Sequence, residues 1–149
     1  MMTEQRGTSG AAMAELVIIA PLLLLVLLGM VEAARAGNLA LTVVGAARAG
    51  VQYGAQNHTT AADNAGMQTA ATNDANSASV TAVASSYCQC EDLTASTCGQ
   101  SGACSTNHQN LYVKVIVTGT ETSLLNYAPL PAGLRSVTIQ TSTVMRVTH

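Results

Sequence analysis

The chain has 149 residues, of which 9% are charged, and a formal net charge of −2. So few cations leave no basic surface for a phosphate backbone, which argues against nucleic-acid binding. Phe and Trp are absent and Tyr counts four, so a core must be built from Val, Leu, Ile and Ala, and beyond a membrane helix there is room for one small domain.

The first element is an apolar run. No charge separates Glu15 from Glu32. As a helix, residues 16–31 span roughly 24 Å, short of a bilayer core roughly 30 Å thick. Adding residues 11–14 gives about 21 residues and roughly 32 Å, enough to span, and brings the Glu15 carboxylate to the membrane's edge, where it needs a partner. Pro21, inside this run, predicts a kink or a locally opened turn that a membrane helix tolerates.

An acid five residues after Gly10, at the head of such a helix, resembles the processing signal of type IV pilin precursors. Arg6, Gly7, Gly10, Ala11, Ala12, Met13, Ala14 and Glu15, then Pro21, a Leu run, Gly29, Glu32 and Ala34-Arg35, are similar to the TadE family of tight-adherence pilus assembly. The stretch from Ala46 through Ala47, Arg48, Ala49, Gly50, Val51 and Gln52 to Tyr53 resembles the family's segment after the membrane helix. The resemblance implies that a prepilin peptidase cuts after Gly10 on the cytoplasmic side, leaving Ala11 as the new terminus. It implies that Glu15 pairs with a neighbouring subunit's new amine on insertion into a filament. It further implies membrane lipid and other pilin and pilus-assembly subunits as partners, a cytoplasmic-membrane location with the C-terminal domain outside, no cofactor and no enzymatic activity.

Two other readings compete. Ala34-Arg35-Ala36 fits the cleavage pattern of a secretory signal peptide, which would release a soluble module beginning at Gly37. Against it, the apolar run exceeds the usual core of about 7 to 15 residues, and Glu15 stands where basic residues are expected. An uncut single-span anchor is the second. Neither accounts for the Gly10 to Glu15 spacing.

Beyond Glu32, residues Ala33, Leu39, Ala40, Val43, Val44, Ala47 and Val51 keep a helical period, so the membrane helix continues as an amphipathic stalk. Gly37, Gly45, Gly50 and Gly54 each cost about 1 kcal/mol of helix propensity relative to Ala, so other contacts must hold it straight. Gly50 and Gly54, or Ala46 and Gly50, admit either a second helix at close approach or the stalk's own domain.

After Asn57 the composition turns to Ala, Thr, Asn and Asp. Thr60 and Asp63 form a helix-start pair for a polar helix ending near Ala75. Segments 79–87, 111–118 and 137–147 read as antiparallel strands, the last alternating Val137, Ile139, Thr141, Thr143, Met145 and Val147 on one face. Residues 127–133, with Pro129, Pro131 and Gly133, read as the turn before it.

Cys88, Cys90, Cys98 and Cys104 lie between the first two strands. An even set in an exported domain reads as two disulfides. A Cys88–Cys90 bridge would be strained, and pairing Cys88 with Cys98 or with Cys104 both stay open. A four-thiolate zinc site is the alternative, but Cys-x-Cys departs from the usual ligand spacing. A Cys-x-Cys pair ahead of two further Cys also recurs in TadE-like sequences. No metal is expected. His58, His108 and His149 stand at no catalytic spacing, His108 near Cys104 reads as a solvated loop histidine, and the sequon at Asn57 matters only in a host that glycosylates it.

The chain is therefore expected to be α+β, with a single N-terminal transmembrane helix continuing into an amphipathic stalk, then a small antiparallel sheet domain with a disulfide-bearing loop. The expected divisions are a cytoplasmic leader at 1–10, the membrane helix at 11–31, the stalk at 32–56 and the extracytoplasmic domain at 57–149.

Overall fold

The computed structural model describes residues 8–77, 79–100, 104, 108–124 and 135–148, with side chains in the first helix from Met13 onward. The turn expected at 127–133 lies outside the described residues.

Helix α1 runs from Thr8 to Gly54 and passes Pro21 without interruption. The chain forms two compact units, one reaching Ala36 and the other Gly37–His149. In the first, the large apolar side chains from Met13 to Val31 are exposed.

The second unit contains the C-terminal part of α1, helices α2 (His58–Ala62) and α3 (Asn64–Ala75), and strands β1 (Val80–Cys90), β2 (Ala95–Ser96), β3 (Gln109–Thr122) and β4 (Ser136–Arg146). Two short helices replace the single one expected from Thr60. Asn57 is extended (φ −164°, ψ 174°) and caps α2, its side chain accepting the Thr60 N–H at 2.9 Å while the Thr60 hydroxyl accepts the Asn57 N–H at 3.1 Å. Thr60 is thus the reciprocal member of a capping box and not its first residue. Asp63 ends α2 and caps α3, its carboxylate accepting the Gly66 N–H at 2.8 Å. Asn76 closes α3 in the left-handed region (φ 45°), which short carboxamide side chains tolerate.

The four strands form one antiparallel sheet in the order β2-β1-β3-β4. β1 pairs with β3 from Val80↔Gly119 to Cys90↔Gln109, and β3 with β4 from Tyr112↔Arg146 to Thr122↔Ser136. The strands outrun the apolar alternation that marks them in the sequence. At their ends the ladder carries Gln89, Cys90, Gln109, Asn110, Glu121 and Thr122, which satisfy backbone groups without contributing apolar periodicity.

Period-2 alternation puts Val80, Ala84, Cys88 and Cys90 of β1 and Val113, Val115 and Val117 of β3 on the buried face, with Ile139 of β4 packed against them. Against this face lie Leu39, Val43, Ala46, Ala47 and Val51 of α1 and Met67, Ala71 and Ala75 of α3. The stalk's small residues serve its own domain. A Cβ on Gly50 would stand 3.0 Å from the Met67 carbonyl oxygen and 3.1 Å from Val115 Cγ1, and one on Gly54 would collide with Met67 Sδ. On the sheet side, a Cβ on Gly119 would lie 2.7 Å from Val43 Cγ2 and 2.8 Å from Leu39 Cδ1. Glycine on both surfaces lets helix and strand approach closely, which is how a core without Phe or Trp reaches dense packing. The same contacts give the stalk a direction. Passing from Leu39 to Gly54, it tracks β3 backwards from Gly119 to Val113, antiparallel to β3 and parallel to β1 and β4.

Candidate processing and anchoring region

Gly10, Ala11 and Glu15 all fall within α1. Glu15 is exposed at the head of the apolar stretch, and Leu16, Val17, Ile18, Ile19, Leu22 and the four residues after it carry large exposed side chains. The helix from Met13 to Gly54 contains a window long and apolar enough to cross a membrane, with none of that window buried. An uncovered apolar cylinder of this length is stable only in lipid or against other protein. Glu15 at one end and Glu32 at the other bracket it at about 26 Å of helix rise, close to a bilayer's hydrocarbon thickness.

The stalk is fastened to its domain by a contact that the sequence pattern did not announce. The Tyr53 hydroxyl of α1 donates to Asp63 Oδ2 at 2.9 Å. Asp63 thus ties α1 to α3 while capping the latter. The Gly66 amide, and after it the Tyr53 hydroxyl, hold its carboxyl below the ordinary carboxylate range. Asp63 was legible as a helix-start residue, but its partner ten positions earlier follows no motif. At the chain's other end, the Thr148 N–H donates to the Ala55 carbonyl at 3.3 Å and the Thr148 hydroxyl to the same oxygen at 3.2 Å.

The cysteines pair as Cys88–Cys98 and Cys90–Cys104, with Cα separations of 5.2 and 5.5 Å. Cys88 and Cys90 stand two apart on β1 and so share its buried face. With every sulfur bonded, no thiolate is left for zinc, and no group of three or more potential metal ligands occurs among the described residues. Gln109, the first residue of β3, clamps the loop between the bridges. Its Nε2 donates to Ser96 Oγ at 2.6 Å and to the Thr97 carbonyl at 2.8 Å, and its Oε1 accepts the Gly99 N–H at 3.0 Å. Beside the first bridge lies a cavity of about 220 Å³ lined by His58, Cys88, Cys98, Gly99, Gln109 and Leu111.

A family model described as TadE-like protein matches residues 10–52. The match begins at Gly10, takes in Glu15 and the exposed apolar stretch, and ends within the stalk, one residue before Tyr53. It is thus the N-terminal helix that is TadE-like. No curated protein matches this chain. No solved structure does either.

Proposed function

We propose that this chain is a non-enzymatic, TadE-like minor pilin or pseudopilin, anchored in the cytoplasmic membrane by residues 11–31, with the domain from residue 57 on the outer side. Its role is to build or initiate an adhesion pilus or a related secretion filament. The observation that carries the reading is that the TadE-like match over residues 10–52 falls on a helix whose large apolar side chains from Met13 to Val31 are exposed. Prepilin peptidase cuts after Gly10, which frees the α-amine of Ala11. Glu15 then sits one helical turn inside the new terminus, where a carboxylate at the bilayer edge is costly alone and is stabilised by a neighbouring subunit's amine. Other pilin and pilus-assembly subunits are its partners.

The experiment is to compare wild type with Glu15→Gln in membrane fractions and in sheared pili. The amide keeps shape and removes charge, so the variant is expected in the membrane at wild-type level while pili fall to background. Wild-type pilus numbers in Glu15→Gln would remove the pairing role.

A further inference from the structure

The sheet ends in two open edges. β4 is eleven residues long, carries no charge between Arg135 and Arg146 and no proline, and no hydrogen bond leaves its outer side among the described residues. Short of Arg146 at its end, none of the devices that normally blunt an edge strand occurs on it among the described residues. On the opposite side, β2 covers β1 only at Cys88 and Gln89, and the Val80 N–H is taken by the Ser77 carbonyl. From Thr81 to Tyr87 the outer edge of β1 is likewise open among the described residues.

Both edges are uncharged and β-rich. Since β1 and β4 each run antiparallel to β3, they are parallel to one another and to the stalk. We infer that β4 of one copy pairs, in parallel, with the outer edge of β1 of a second copy of this chain, extending the sheet from subunit to subunit. The direction of the pairing rests on the membrane-anchored reading above. A two-fold pairing of β4 with β4 would reverse one sheet within its plane, and the stalk with it. The N-terminal ends of the two stalks would then leave opposite ends of the joint sheet, which two anchors in one membrane cannot follow. Parallel β4 to β1 pairing keeps every stalk pointing the same way.

Sidedness then limits the register to even shifts. Thr138, Gln140, Ser142 and Val144 occupy the outer face of β4, and Thr81, Val83, Ser85 and Tyr87 that of β1. Of these shifts, the inferred register sets Thr138 beside Thr81, Gln140 beside Val83, Ser142 beside Ser85 and Val144 beside Tyr87, along the stretch of β1 that β2 leaves open. Val83, 61% exposed in the single chain, and Val144 both gain cover. Head-to-tail contacts of this kind join more than two copies, in a ring if the rotation between subunits closes and in an open array if it does not.

The test uses the full-length protein in its native membranes with a short thiol-reactive bifunctional crosslinker, to which the four bonded native cysteines do not respond. Adjacent strands stand about 4.8 Å apart, well within reach. Ser85→Cys/Ser142→Cys is expected to give a ladder of dimers, trimers and longer products. Ser142→Cys alone should stay monomeric, and co-expressed Ser85→Cys and Ser142→Cys single variants should stop at dimers. Intact mass with only the introduced thiols modified verifies that both native bridges are retained. Dimers from Ser142→Cys alone would show two-fold pairing and overturn the inference, as would monomers throughout. Carbonate extraction reads the anchor separately. A ladder in a chain that extraction releases would keep the pairing and overturn the anchored reading.

Discussion

The proposed function has a peptidase cut after Gly10, where a bulky side chain would obstruct it. Gly10→Leu is expected to leave the ten-residue leader attached, read as the unprocessed intact mass, whereas an unchanged mature mass would remove Gly10 from the processing role. Asp63 acts at a different point, the joint between α1 and α3. Its carboxyl is held below its ordinary range in the folded chain. The stabilisation it gives is therefore complete above the unfolded carboxyl's titration and is lost as pH falls through the lowered folded value. Asp63→Asn keeps a cap-competent side chain and removes the charge, so its unfolding midpoint should depend less on pH in the acid range than that of wild type. Parallel pH curves for the two proteins would contradict this.

At the level of elements, the stalk packs because its small residues and Met67 fit one another. Met67 is fully buried and fills the space left by Gly54. Met67→Ala is expected to cost about 2 to 5 kcal/mol in denaturant unfolding, and Gly54→Leu, which overfills the same groove, about 1 to 3 kcal/mol. Leu41, 73% exposed on the same helix, supplies the contrast. Leu41→Ser should change domain stability by no more than about 0.5 kcal/mol. The three strands and the helical stalk were legible because period 2 and period 3.6 repeat over enough residues to stand out. The break between α2 and α3 was not, because Asn57 and Asp63 each start a helix through a single side-chain bond and leave no apolar period behind. Nor could the sequence choose between the stalk's two uses for Gly50 and Gly54. That choice was made by Met67, Val113 and Val115, which are brought to the groove by chain folding and not by local spacing.

For the whole molecule, a thin aliphatic core is supplemented by crosslinks. The bridges close segments with sequence separations of 10 and 14, and each contributes on the order of 3 kcal/mol if chain entropy dominates. Protein isolated without reductant and alkylated under denaturing conditions should carry no label on any of the four cysteines, and four labels would refute both bridges. Which cysteines pair was not readable from spacing, since Cys98 and Cys104 both lie within reach of Cys88. The pairing is fixed by the loop that Gln109 holds against Ser96, Thr97 and Gly99. The N-terminal helix was the most legible part of all, because an uninterrupted apolar run of this length stands out from any globular pattern. The proposed function depends on cleavage after Gly10. The most direct measurement is N-terminal sequencing of the protein purified from membranes. The proposed function predicts Ala11 as the first residue, and a chain beginning at Gly37 would contradict it.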